Sequence, residues 1–497
     1  MTLLLSNIAE SCKKILPVIT DCVNRTAITA IAFNTGFTKR LKKFEPWLFV
    51  CALFKSLSNT DKGFSLRRIH EEYCALTEIH HMVDCKIEWE VFHDHLSKPM
   101  IEDFIIEVMN YCDSKLGSTS YHSYHLIITE LQKRLSIKDL YLQDGSIINE
   151  KGQFTSSHKP MNNEQKKLQA TVSFKHMNMA NFTISQASDS ERDFLPKGEM
   201  CNGMLLCADA GFIDKTYFAH VIENKGYYIH KGKTNCSYKI LEAQRYKSKR
   251  NKCILEKIDV SDGDNPKSDK FAGNYSYDFL VEVTIDKDTK IIMRVIKYCV
   301  PEFDRTHNLF DNEKSKYVFF YTNIESSSLD LDQIAQIYRL RWQSEIIFKL
   351  MKEFCGLIKA NTNRMHLRKA LLTMAVMILS VKQYIGKIME LDLDGDISPF
   401  KVASHSRTLI DEIISLCVNI RVFKIKDIFA TTNPIIVYAI RGISNVIEGQ
   451  TRRFKKSPVG EINRKQGKSL RCIINVIRRP PVKTQLSDCR IGIVAQQ

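Results

Sequence analysis

The chain has 497 residues, 44% hydrophobic and 26% charged, so it is too long for one simple core and too apolar to be a disordered tract. A formal net charge of +16 attracts polyanions, nucleic acid above all. The 15 cysteines are odd in number and form no C-x-x-C pair, which excludes a disulfide framework or a zinc ribbon and fits the reducing cytoplasm, close to the nucleoid.

Residues 1–135 read as a helical region. EPWLFVCALFKSL, SLRRIHEEYCAL, WEVFHDHLSK and MIEDFIIEVMNYC repeat apolar positions at spacings of three and four. The second and third of these form either a helix-turn-helix pair or part of a plain helical subdomain. His80, His81, Cys85, His93 and His95 match no zinc-ligand spacing. The N-terminal MTLLLSNIAESCKKILPVIT carries its lysines after a short apolar run, the wrong order for a secretory signal.

From Ile137 the texture turns to short β-rich runs, IKDLYLQD, QATVSFKHM, NFTISQAS and MLLCADAGF, with a helix expected in the polar stretch before the last. They imply a mixed α/β sheet over 136–225. A β-rich insertion follows over 226–328. Within it, YKILEAQRYKSKRNK holds Lys239, Arg245, Lys247, Lys249, Arg250 and Lys252 against one acid, either as a clamp on the DNA backbone or as a solvated loop. Residues 329–385 return to helical patterns. The apolar run from Ala370 to Val381 is short of the ~20 residues that span a bilayer and reads as a buried helix, with no membrane partner. Residues 386–497 form a C-terminal helical region and a basic tail, which beyond Gln450 has twelve Lys or Arg against Glu461 and Asp488. The part from Arg452 to Arg479 is either a DNA contact or a flexible arm.

The segment IYRLRWQSEIIFKLMKEF carries the most information. At about 100° per residue, Tyr338, Arg341, Glu345 and Lys352 share one narrow stripe of an otherwise apolar helix. Keeping such a file of ionisable groups against apolar surroundings needs a reason. Either Arg341 and Glu345, four apart, simply pair with each other, or the stripe serves an anionic, metal-bearing ligand. Trp342, about 40° off the stripe, either packs in the core or stacks on a displaced base. Asp144 and Asp209 each end an apolar run beside a glycine, Gly145 and Gly211. With Glu345 they form a set of hard oxygen donors of the kind Mg²⁺ selects.

The spacing Y-x2-R-x3-E-x6-K at Tyr338, Arg341, Glu345 and Lys352 resembles the signature of bacterial insertion-sequence DDE transposases of the YREK group, the cut-and-paste type of insertion sequence family four. Asp144-Gly-Ser and Asp209-Ala-Gly-Phe fall where that family places its first two acids. The resemblance implies an RNase H-like core interrupted by an insertion, as the 135 residues between Asp209 and Glu345 already require. It implies catalysis by Asp144, Asp209 and Glu345 around two Mg²⁺ ions, for which Mn²⁺ can substitute. It also implies phosphate contacts from Tyr338, Arg341 and Lys352, double-stranded DNA substrates (terminal inverted repeats and a target) and a homodimer that holds two ends. Ala210 stands where the family has arginine or serine, and His230-Lys231 where relatives often carry arginine. The competing expectations are an inactive or domesticated DNA-binding derivative and a stand-alone RNase H-like nuclease.

Overall fold

The computed structural model describes residues 2–40, 44–58, 65–80, 86–117, 120–148, 166–233, 238–249, 252–266, 268–300, 316–356, 364–393, 399–419, 473–482 and 491–495. Among the described residues seven helices come first: α1 (Thr2–Cys22), α2 (Arg25–Asn34), α3 (Pro46–Ser58), α4 (Leu66–Ile79), α5 (Trp89–Leu96), α6 (Ile101–Leu116) and α7 (His122–Gln132). Helices α4 and α5 pack through Tyr73 and His70 on Phe92, with ring centroids 5.5 and 5.1 Å apart. The segment between them, residues 80–88, is longer than the three- or four-residue turn of a helix-turn-helix.

The strands that follow are β1 (Asp139–Ile148), β2 (Lys166–Ser173), β3 (Asn178–Gln186), β4 (Met204–Ala208) and β5 (Tyr227–Lys231). They lie in the order β3-β2-β1-β4-β5. β1 runs antiparallel to β2 and parallel to β4, and β4 runs parallel to β5. The β1–β2–β3 meander needs only short links, whereas a parallel pair needs a crossover. Helix α8 (Lys215–Glu223), capped by Asp214, supplies it between β4 and β5. β4 is MLLCA and wholly buried, the continuous apolar run of a strand covered on both faces. The polar stretch before it forms two 3-10 turns, Glu191–Phe194 and Gly198–Cys201, and not the regular helix expected.

The sheet continues without a gap through β10 (Tyr317–Thr322), β9 (Thr289–Cys299), β8 (Ser276–Thr284), β6 (Lys239–Lys249) and β7 (Lys252–Ile258). β5 thus joins β4 on one side and β10 on the other, so no break in pairing marks the boundary read at residue 226. The basic stretch read as a clamp or a loop is a strand, β6, hairpinned to β7. A short C-terminal strand, β11 (Gly492–Ala495), adds to β9.

Side-chain alternation splits the core in two. Leu140, Leu142, Leu205, Cys207 and Ile229 face the helical layer. Met204, Leu206, Ala208 and Tyr228 face the other side, with α8 and the far strands. The helical layer also holds α9 (Leu331–Tyr338), α10 (Trp342–Phe354), α11 (Met365–Leu393), α12 (Pro399–His405) and α13 (Arg407–Asn419). α11 is much longer than the apolar run suggested, and its 27-residue apolar span is long enough to cross a membrane, but the most apolar 18 residues of that span are packed inside the molecule. A second apolar span, Glu10–Asn34, is one third buried.

Two buried cations fasten α10 and the segment that leads to it. Arg294 of β9 pairs with Asp278 and donates to the carbonyls of Ile324 and Leu329 at 2.8 and 2.9 Å, fixing the link from β10 to α9. Lys382 of α11 donates to the carbonyls of Ser58, Phe354 and Ala403 at 3.2, 2.9 and 3.0 Å. It thereby caps the C-terminal ends of α3, α10 and α12, where helix dipoles favour positive charge. The C-terminal segment docks beside α9. There Arg479 pairs with Asp332, Arg478 pairs with Glu130, and Gln333 donates to the Arg479 carbonyl. These two arginines of the basic tail are held within the chain, and residues 452–472 lie outside the described residues.

Candidate active site

Asp144 and Asp209 come together through strand pairing. Gln143 of β1 is level with Ala208 of β4 in a parallel pair, so each aspartate is one residue beyond the last pair. Alternation turns both toward the helical layer. The backbone N–H of Gly145 donates to Asp144 Oδ1 at 2.8 Å, and that of Ala210 donates to Asp209 Oδ1 at 2.6 Å. Ala210, where the family pattern has arginine or serine, thus contributes only its backbone here.

Glu345 arrives on α10, but not along an unbroken helix. α9 opens with a capping box, in which Asp330 accepts from the Gln333 N–H and Gln333 accepts from the Asp330 N–H. It ends at Tyr338, a 3-10 turn covers Arg339–Arg341, and α10 starts at Trp342. The turn advances about 120° per residue in place of 100°, so the single stripe expected from Tyr338 to Lys352 is interrupted. Tyr338 is only 2% exposed and its ring lies 5.0 Å from that of Phe320. Its ring is therefore a core element and not the open phosphate contact expected. Trp342 is displaced the other way: 43% exposed, it is a surface side chain beside the site and not a core one.

Arg341 joins the acids. Its Nη1 is 3.2 Å from Asp144 Oδ2 and its Nη2 is 3.1 Å from Glu345 Oε1, while its side chain is 5% exposed. The ion pair within the helix is therefore real, and it extends to the sheet. The Ser344 hydroxyl lies 2.8 Å from Asp144 Oδ2 and 2.7 Å from the Arg341 carbonyl, with one proton to give to either. Burial pushes the Asp144 carboxyl above its ordinary pKa. Arg341, Ser344 and the Gly145 N–H oppose this, and the negative charge of Asp209 adds to it. Lys352 has its pKa lowered by burial and raised by Asp144, which places it within the same field.

The convergence is therefore partial. Among the described residues no three Asp, Glu, His or Cys side chains are gathered into a ready cation cage, because the Arg341 guanidinium stands between Asp144 and Glu345. The chemistry of the donors nevertheless fits a divalent cation. Two aspartates sit on neighbouring strand ends, close enough for one charge to disfavour the other, and a glutamate shares the arginine of Asp144.

Three residues near the acids, Ser344, Lys167 and Glu191, escape a reading of sequence alone, and Lys231 stands out there only as a departure from the family pattern. Ser344 is one small polar residue among many until α10 lies on β1. Lys231, buried, follows the Ala208–His230 pair and so stands beside Asp209 on the helical face. Lys167 of β2 and Glu191 of the first 3-10 turn form an ion pair on the opposite face. No local motif flags Ser344, Lys167 or Glu191, since only helix packing and strand order bring them to the site. His230, by contrast, points into the other core between Phe218 and Tyr228, and burial lowers its pKa to about 3.

The residues named in the insertion are farther out. Arg245 is engaged with Glu256 across the hairpin at 2.7 and 3.2 Å, and Lys239 approaches Asp262 at 3.8 Å. Lys247 and Lys249 end β6 and Lys252 starts β7, while Arg250 lies outside the described residues. Of the histidines set aside as zinc ligands, His80 contacts the Val418 carbonyl and His95 stacks on Phe44; His81 and Cys85 lie outside the described residues.

Residues 137–381 match the family model described as the transposase DDE domain. The core sheet, both aspartates and the glutamate helix all fall inside that span. No curated protein matches the chain. Among solved structures it is similar to a cryo-EM structure of the piggyBac transposase synaptic complex with hairpin DNA. The identity is 11% over 87% of this chain and 85% of that one, with a TM-score of 0.37, a likeness too distant to argue from.

Proposed function

We propose that this protein is a DNA transposase of the YREK group that cuts and joins phosphodiester bonds with Asp144, Asp209 and Glu345. The observation that carries this reading is the pair of aspartates at adjacent strand ends, the first of them, Asp144, tied through Arg341 to a glutamate on the covering helix. The strand order β3-β2-β1-β4-β5, with its first three strands antiparallel, supports an RNase H-like core. In this reading 1–135 bind element ends, 226–328 form the insertion and 386–497 the C-terminal region.

The three carboxylates are the donors for two Mg²⁺ or Mn²⁺ ions, which when bound supply an acidified water and stabilise the leaving 3′ oxygen. Ser344 and the Gly145 N–H fix the two oxygens of Asp144 in direction. Arg341 neutralises the acids before substrate binds and grips a phosphate once it leaves them. Lys352 lies one helical face along and takes a neighbouring phosphate, and Trp342, already exposed, offers a ring on which a displaced base can stack. The partners are element ends and target DNA, held by two copies of the chain.

The test is incubation with DNA bearing the element ends and Mg²⁺, followed by mapping of 3′ ends. Cleavage with joining supports the reading; cleavage without joining points to a nuclease. A DNA-binding protein that cuts nothing is the second reading, favoured by the guanidinium lodged between Asp144 and Glu345. Binding without nicking would establish it.

A further inference from the structure

Behind the acids, on the sheet face opposite Arg341, lies a second ionic device. Lys167 of β2 reaches under β1 to Glu191, which lies beneath the loop after β4, and their side chains are 15% and 27% exposed. The pair spans two strand spacings, roughly 9.5 Å, and two glycines make room for it. A Cβ at Gly145 would lie 2.4 Å from Lys167 Cε, and one at Gly211 would lie 2.2 Å from Glu191 Oε2. These glycines follow Asp144 by one residue and Asp209 by two.

Gln169, level with Gly145 in the β1–β2 register, adds to this underside. It is buried, its Oε1 would lie 2.8 Å from the same Cβ, and neither its nitrogen nor its oxygen has a partner among the described residues. A lysine, a carboxylate and an amide set beneath two aspartate-bearing strand ends cost desolvation, which an apolar underside would avoid.

We infer that Lys167 and Glu191 are positioning residues: their bridge, laid under Gly145 and Gly211, holds the ends of β1 and β4 in the register that sets Asp144 and Asp209 side by side as cation donors. The inference rests on the reading of those aspartates as metal ligands. It assigns the bridge no contact with DNA or with the ion. Its effect is to spare the two carboxylates the entropy of being brought together at each binding event, as partners behind a ligand set do.

The experiment uses the full chain with Mn²⁺ alone as probe, its free fraction read by electron paramagnetic resonance and thermal unfolding followed in parallel. Glu191→Gln and Lys167→Met are each expected to weaken Mn²⁺ binding about tenfold, with unfolding midpoints close to the parent. The double variant is expected to be no weaker than either single one, because the pair acts as a unit, and Lys167→Arg is expected to keep the parent affinity. Gly211→Ala, which presses a methyl on Glu191 without changing any charge, is expected to weaken binding as well.

Unchanged affinity in Glu191→Gln and Gly211→Ala overturns the inference. So does opposite behaviour of the two charge variants, with Lys167→Met tightening and Glu191→Gln loosening, which would mean that only charge near Asp144 matters. Asp144→Asn and Asp209→Asn in the same titration separate the two levels. If these leave Mn²⁺ binding intact, the metal-ligand reading itself fails, whatever the bridge does.

Discussion

Lys382→Met should destabilise the protein far more than a methionine inside an apolar helix normally would. The lysine is 0% exposed, and its three ammonium protons all go to carbonyls, at the ends of α3, α10 and α12. A hydrogen bond from a charged donor contributes about 1.5–3 kcal/mol, so three contribute about 4.5–9 kcal/mol. Burial acts against the charge and lowers the Lys382 pKa from the usual 10.5 to about 8. The expected loss is at least about 3 kcal/mol, because three helix-end carbonyls are left buried without a donor. Urea unfolding of parent and variant measures it, and a loss below about 1 kcal/mol would show that the three helix ends do not depend on this charge. The pH dependence checks the sign. Between pH 8 and 10.5 the unfolded chain holds a proton that the native lysine has released, so native stability rises with pH. The gap between parent and variant should widen over that window; a narrowing gap would mean that the carbonyls retain the proton more strongly than burial expels it.

Three further outcomes test the site. Glu345→Ala should abolish cleavage of element-end DNA while leaving DNA binding measurable by gel shift, and retained cutting removes Glu345 from the chemistry. Arg341→Ala should weaken end binding and flatten its salt dependence by about one phosphate contact, a change of about 0.9 in the log–log slope; an unaltered slope leaves the arginine a purely internal bridge. Trp342→Ala should change the unfolding midpoint little, since the ring is exposed. It should cost about 1–3 kcal/mol of end-DNA affinity if a base stacks there, and equal affinity in a fluorescence titration denies it that part.

The sequence by itself determined the chemistry on offer. The Y-x2-R-x3-E-x6-K spacing, two aspartates each ending an apolar run before a glycine, and a long strand-rich gap before the glutamate are local patterns. Local patterns survive without coordinates, because period and spacing belong to the chain. They named Asp144, Asp209, Glu345, Arg341 and Lys352. Tertiary structure decided what no period encodes. Which strand neighbours which put Asp209 beside Asp144 and brought Lys167, Glu191 and Lys231 to the same edge from distant segments.

Around the 3-10 turn at Arg339–Arg341, Tyr338 is buried and Trp342 is exposed, a difference that the spacing of a uniform helix had left open for Trp342 and had not anticipated for Tyr338. Lys382, which to hydropathy only ends an apolar run, became the cap of three helices because their ends meet at its ammonium. Arg341 shows the division most clearly. A spacing of four predicted its bond to Glu345, but its second bond, to Asp144 almost two hundred residues earlier, exists only because α10 packs on β1.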